Sequence, residues 1–199
     1  KAFTLTLFAG SLLPLTAGLE IKDSPGKHLE IVAGDKTLVR YMYEYDTSTP
    51  EKKHATYKPY LHVFDAAGKN PITKGAGGQF THHRGIFIGW SKLGFNGKTY
   101  DRWHMRTGAI VHQEFGEQEA KEESAFITSL THWHDDNKKP LLDEARKMTV
   151  WIPREGWARM VVFFESKLTA AYGDVALKGD PEHAGIQYRP ANEVNKKKT

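Results

Sequence analysis

Hydrophobic and polar residues alternate with period two along much of this chain. Lys36–Tyr45 sets Val39, Tyr41, Tyr43 and Tyr45 on one face and Leu38, Arg40, Met42 and Glu44 on the other. That is the pattern of a strand with one buried side. His28–Ala33 reads as the strand before it, closed by the turn Gly34-Asp35, and Tyr60–Asp65 as the strand after it, turned at Ala66–Asn70 around Gly68. Between them Asp46–Thr56 is polar, holds Pro50, and reads as an exposed loop.

Further along, Gly85–Trp90 (GIFIGW) is a continuous apolar run bounded by glycine. It predicts a buried strand whose ends lie close to neighbouring backbone. Gly108–Phe115 and Glu123–His134 follow as strands, separated by an acidic turn at Gly116–Glu122. Asp135–Pro140 is a turn, Ala145–Ile152 a strand, Pro153–Gly156 a turn, Trp157–Ser166 a strand and Leu168–Lys178 a weaker one. Gln118–Ser124 and Pro140–Lys147 are each long enough for a helical turn, but neither carries an apolar stripe of 3.6-residue period. About eight short strands, with turn signals every eight to twelve residues, predict an all-β fold, an antiparallel β-sandwich. Residues 18–199 form its single domain. The polar ending Gln187–Thr199 offers no apolar strand to close a sheet, so the expectation is a domain incomplete at its C-terminus, the front part of a longer one.

The opening is different in kind. Lys1 is followed by an uncharged stretch that lasts through Leu19 and is interrupted by Gly10, Pro14 and Gly18. A spanning helix requires about 20 apolar residues. A basic start, an apolar stretch and the small-residue site Leu15-Thr16-Ala17 instead predict a signal peptide over residues 1–17. The expected location is exported, periplasmic or extracellular, with no membrane span after cleavage.

Composition narrows the function classes. Aromatics make up 12%, with five Trp and eight Tyr, which suits a sugar-binding or all-β protein better than a helical bundle. Formal charge is 28 − 24 = +4, but the basic residues are scattered apart from Lys196–Lys198. Nucleic acid, which requires a clustered basic face, is therefore not an expected partner. With no cysteine, disulfides, thiolate chemistry and cysteine-ligated zinc are excluded. Neither a phosphate loop, a dinucleotide fingerprint nor a serine nucleophile elbow is present, and the glycine-rich GAGGQF precedes no helix.

The candidate chemistry concentrates in Gly75–His104, where costly polar and aromatic groups crowd flexible backbone. His82, His83 and Arg84 directly precede the GIFIGW strand. On extended backbone adjacent side chains point to opposite faces, so one of the two histidines is expected at the ligand and the other packed internally. Imidazole serves as acid, base or metal ligand near neutral pH, and the Arg84 fork suits a carboxylate or sugar hydroxyls. Trp90 and Trp103 offer faces for stacking on a sugar ring, whereas Trp133, Trp151 and Trp157 read as core. His183, Gln187 and Arg189 form a possible ligand-facing edge after the turn Gly179-Asp180-Pro181. His132 and His134 share a strand face and, with His104 or Glu144, would offer metal ligands; the competing reading is two exposed histidines at a strand mouth.

The blocks Tyr57–Leu61 (YKPYL), Thr81–Trp90 (THHRGIFIGW), Tyr100–His104 (YDRWH) and Gly179–Arg189 (GDPEHAGIQYR) resemble a bacterial family of exported proteins catalogued as PmoA-like, a domain of unknown function. The resemblance implies a sandwich related to the galactose-mutarotase type and a setting in complex-glycan degradation.

The reading is an exported carbohydrate-active protein, a hydrolase, lyase or epimerase-like enzyme. His82, His83, His104 and His183 would be acid and base, and Arg84, Trp90, Trp103, Gln187 and Arg189 would bind a carbohydrate or other small ligand. No cofactor is predicted and no metal ligand is assigned. The alternatives are a non-catalytic glycan-binding or structural module, and a metal-dependent oxidoreductase or hydrolase in which the histidines hold an ion.

Overall fold

The computed structural model describes residues 18–155 and 158–191. The predicted signal peptide at 1–17, Trp157 and the end of the tail at 192–199 lie outside the described residues.

The chain runs as β1 (Leu19–Ser24), β2 (His28–Ala33), β3 (Lys36–Met42), α1 (Pro50–Ala55), β4 (Tyr60–Val63), β5 (Ile86–Trp90), β6 (Lys92–Phe95) and β7 (Lys98–Tyr100). The long strands β8 (Ala109–Ala120), β9 (Ser124–His134) and β10 (Pro140–Trp151) follow, then β11 (Val161–Thr169), β12 (Val175–Lys178) and β13 (Ala184–Tyr188). One sheet has the order β1-β2-β3-β4-β5-β13, a second β11-β10-β9-β8, and a small third β12-β6-β7. Every pairing is antiparallel, as in the predicted sandwich.

The two larger sheets close on each other. Leu29, Ile31, Val39, Tyr41, Leu61 and Val63 from the first pack against Ala125, Ile127, Met148 and Val150 from the second. The facing residues fall at alternate positions, as period two demands: along β9 Ala125, Ile127, Ser129, Thr131 and Trp133 are all buried. Toward the far end Ile88, Leu93, Ile110, Trp133, Leu141 and Leu142 form a second cluster.

Between the sheets lies a buried polar network. The Arg146 guanidinium donates to Glu144 at 2.8 and 2.9 Å, to the Pro59 carbonyl at 3.1 Å and to the Tyr41 hydroxyl at 3.4 Å. Glu144 also accepts from Trp133 Nε1 at 2.8 Å and Ser166 Oγ at 2.9 Å. Each charge is paired and each carboxylate oxygen has two donors, the condition under which buried ions are tolerated. Burial works against the Arg146 charge, and Glu144 and Tyr41 more than offset it, so its pKa is raised.

Several local expectations are corrected. Asp46–Thr56 contains α1, because Thr49 caps it by accepting from Lys52 N at 3.2 Å and Pro50 sits where its missing N–H costs nothing. Most of the acidic stretch Gly116–Glu122 is not a turn. β8 continues to Ala120 through bulges opposite β9, where the Thr128 hydroxyl donates to the Glu117 carbonyl at 2.7 Å. The weak strand at Leu168–Lys178 is two pieces, the end of β11 and β12. β1, β6, β7 and β13 are further strands in segments too short or too polar to show alternation.

What positions the site is β5 and its partners. Both ends of β5 lie against other backbone, as its glycine bounds predict. A Cβ on Gly85 would fall on the Leu61 carbonyl oxygen, and one on Gly89 would lie 2.7 Å from the Arg102 carbonyl oxygen. β4 is buried on both faces: Leu61 and Val63 face the sandwich core, while Tyr60 and His62 lie beneath the loop that leads into β5. On that outer face Phe87 packs with Tyr60 and Trp103.

Candidate functional site

Three loops meet over the outer face of β5 and β13. The first, Phe64–Gly85, is tied down at both ends. Thr73 Oγ1 accepts from Val63 N at 3.0 Å and lies 3.0 Å from His62 Nδ1, while Lys74 N donates to the Arg189 carbonyl at 2.9 Å. The Lys74 ammonium gathers the glycine-rich segment by donating to the carbonyls of Gly75, Gly77 and His83. Arg84, 1% exposed, donates to the carbonyls of Thr81, His83 and His54, and His54 Nε2 lies 2.9 Å from Thr81 Oγ1. The short helix α1 thereby anchors the histidine loop.

That anchoring changes the expected geometry of the histidine pair. Residues 80–83 form a turn in which His83 N donates to the Phe80 carbonyl at 3.1 Å, not an extended strand. Both imidazoles consequently face the same pocket, with ring centres 4.4 Å apart.

The other two loops are built alike, each around the pattern Asp-x-x-His. In the first, Asp101 Oδ1 accepts from Trp103 N and His104 N at 2.9 Å each, and Asp101 Oδ2 lies 2.8 Å from His104 Nδ1. In the second, Asp180 Oδ1 accepts from Glu182 N at 3.1 Å and lies 2.6 Å from His183 Nδ1. In each, the carboxylate folds a turn through the backbone and fixes the ring that ends it. An imidazole that donates Nδ1–H to a carboxylate keeps its Nε2 lone pair for a ligand.

Arg102, fully buried, locks the first turn in place. It donates to the carbonyls of Asp101, Thr107 and His134 and pairs with Asp136 at 3.1 Å. From below, Lys58 Nζ donates to the Trp103 carbonyl at 3.1 Å and stands 3.7 Å over the Phe87 ring. Burial pushes the Lys58 pKa well below its ordinary value, with Arg84 adding to the effect. Ser91 N donates to the His183 carbonyl at 2.9 Å and ties the second turn to the end of β5.

The result is four imidazoles around one open pocket of about 590 Å³, completed by Phe80, Glu182, Gln187 and Arg189. His82 lies 4.9 Å from His104, and His104 lies 5.1 Å from His183, between ring centres. Burial pushes the His82 pKa down to about 3, with His83, His104, Lys58 and His183 acting in the same direction. It pushes His83 down to about 4, helped by Arg189, Lys58 and Lys74. At neutral pH these two rings are uncharged, and each presents one donor and one acceptor.

The structure therefore brings His82, His83, His104, His183, Gln187 and Arg189 together. It places the other three predicted residues elsewhere. Arg84 is spent on backbone carbonyls. Trp103 is fully buried, edge-on to His183 at 5.7 Å, with no face open to a sugar. Trp90 packs on Trp133 at 6.1 Å. His132 and His134 lie on the opposite sheet, and Glu144, their suggested companion, is engaged by Arg146. Among the described residues no three His, Asp or Glu side chains are grouped to hold a metal ion. Sequence reading passed over Asp101 and Asp180 as orienting groups, and Phe80 and Glu182 as lining. The repeated Asp-x-x-His spacing was the signal available for the first two.

No curated protein and no solved structure matches this sequence. Residues 28–199, a span that takes in every element from β2 onward and all four pocket histidines, match the family of unknown function DUF6807, and the chain belongs to that family.

Proposed function

We propose that the four-histidine pocket binds a sugar and moves protons on it, making this an exported carbohydrate-active enzyme. The observation that carries the reading is the facing pair of aspartate-oriented histidines, His104 and His183, at one open pocket. A base held by an orienting carboxylate is the arrangement proton transfer requires, and a second such group on the same pocket supplies the acid. One ring takes a proton from the substrate at Nε2, and the other, protonated from solvent, returns one to the oxygen that gains electrons. His82 and His83, held neutral, are suited to hydrogen-bonding hydroxyls, and Gln187 offers an amide for the same purpose. Phe80, 51% exposed at the rim, presents an apolar face to sugar C–H groups.

Export to the periplasm or beyond, a setting in glycan degradation, and kinship with PmoA-like proteins and mutarotase-type sandwiches belong to the same proposal. The exposed Phe80 ring also favours a second reading, glycan binding without turnover.

The test is a panel of mono- and polysaccharides offered to the wild type and to His104→Ala and His183→Ala. Loss of turnover by about a hundredfold or more in either variant, with sugar affinity retained, is expected. Binding without product in the wild type leaves the glycan-binding reading. Turnover unaffected by both substitutions removes the histidines from the chemistry.

A further inference from the structure

We propose that the sugar taken by this pocket is an acidic one, a uronate or uronosyl unit whose carboxylate sits on the guanidinium of Arg189. The inference rests on the sugar-binding reading and names its substrate class.

The other buried and half-buried arginines among the described residues are satisfied. Arg40 pairs with Glu30 at 2.6 Å, Arg146 with Glu144 at 2.8 Å and Arg102 with Asp136 at 3.1 Å, while Arg84 is bonded to three carbonyls. Among the described residues that are buried or half-buried, Arg189 is the one arginine whose side chain has neither an ion pair nor a hydrogen bond, and its Nε is buried without a partner. An unpaired guanidinium N–H away from water costs free energy, which a bound acceptor recovers.

Its position is fixed. Arg189 N donates to the Gly85 carbonyl at 2.8 Å and its carbonyl accepts from Lys74 N at 2.9 Å. The side chain thus stands beside Gln187, two residues earlier on the same side of the strand, and both line the histidine pocket. The surroundings favour an anion at that point. Lys74, whose Nζ lies 3.4 Å from the His83 carbonyl, adds positive charge on the same side of the pocket as Arg189. Asp101 and Asp180 are committed to His104 and His183. Glu182 lines the pocket but makes no ion pair with Arg189 among the described residues. A planar carboxylate matches the guanidinium fork with two parallel hydrogen bonds, and the remaining hydroxyls of a uronate fall to Gln187 and the imidazoles.

The test is titration of the full chain with glucuronate, galacturonate, glucose, galactose and inorganic phosphate. It is followed by calorimetry and by the histidine ring C–H signals in NMR, for wild type and Arg189→Gln. Uronates are expected to bind at least about tenfold more tightly than the matching neutral sugars. Arg189→Gln should erase that difference. Equal affinity for acidic and neutral sugars, or a uronate preference that survives Arg189→Gln, overturns the inference while the sugar site stands. Phosphate binding as tightly as the uronates overturns it in favour of a general anion pocket. If no sugar of either kind perturbs the histidine signals, the underlying reading fails instead.

Discussion

The imidazoles of His104 and His183 face each other at 5.1 Å and a tilt of 36°, each fixed through Nδ1 by the aspartate three residues before it. Two loops from distant parts of the chain converge on the same local design, and the design makes a prediction. Asp101→Asn keeps an acceptor for the backbone turn at the Oδ1 position and presents an amide N–H to the ring at the Oδ2 position, whereas Asp180→Asn, where one oxygen serves turn and ring alike, presents its N–H to the ring by turning that acceptor off the exposed Glu182 N–H. The wrong tautomer then places a proton on Nε2. Turnover should fall by about a hundredfold or more in each, with melting temperature little changed. Nitrogen NMR of the rings checks the tautomer directly, and unaltered tautomers with unaltered rate would show that the aspartates only build the turns.

The depressed histidines set a pH dependence of stability. Burial lowers His82 to about 3 and His62, His83 and His112 to about 4, with Arg40 acting on His62 and Arg146 on His112. Each folded value lies below the unfolded 6.5, so between pH 6.5 and about 4 the unfolded chain binds protons that the folded chain refuses. The stability is fully present above pH 6.5 and drains away as pH falls through that window. His62, 7% exposed, contributes at most about 3 kcal/mol, and the more open rings contribute less. Melting temperature measured from pH 7 to pH 4.5 should decline steadily. A flat profile over that range would show that these rings titrate normally.

Much of the sandwich is legible in the sequence because half-buried strands must alternate. β2 is read to the residue, and β9 and β5 to within one. The failure at β8 has a plain cause: it continues through a charged stretch because it is held by backbone bonds to β9, which side-chain polarity does not report. Of the site, the histidines are legible from their cost and crowding. The roles of Arg84 and Trp103 are not, since whether a large side chain faces a pocket or holds a loop from beneath depends on how the turns at Phe80–His83 and Asp101–His104 fold. Their burial at 1% and 0% decides it.

The network between the sheets predicts an asymmetry. Glu144→Ala strands the Arg146 guanidinium, which is 1% exposed and would keep only the Pro59 carbonyl and Tyr41 hydroxyl. The expected loss is about 3–5 kcal/mol. The double variant Glu144→Leu with Arg146→Met removes both charges and should recover most of it. Denaturant melts of the two variants make the comparison, and a double variant as unstable as the single one would show that shape, not charge, is what the pair supplies.

Gly85 tests how far the fold and the site are one structure. Its N–H donates to the Lys74 carbonyl at 2.7 Å, and its carbonyl accepts from Arg189 N at 2.8 Å, so it stitches the histidine loop, β5 and the end of β13 together. No side chain fits there, because a Cβ would land on the Leu61 carbonyl oxygen and come within 3.3 Å of the Tyr60 ring. Backbone cannot yield cheaply inside a sheet, so Gly85→Ala should cost about 3 kcal/mol or more. Gly77, in the same loop, has φ of 89° but nothing near its missing Cβ, and Gly77→Ala should cost only about 1 kcal/mol of backbone strain. Chemical denaturation orders the two variants. Sugar titration separates the consequences further, because the Gly85 change pushes β5 from β4 at the point where Gly85 is bonded to Arg189. Gly85→Ala should therefore lose sugar binding even under conditions where it remains folded, while Gly77→Ala retains it. Equal stability of the two variants would mean that β4 and β5 approach less closely than the glycine implies.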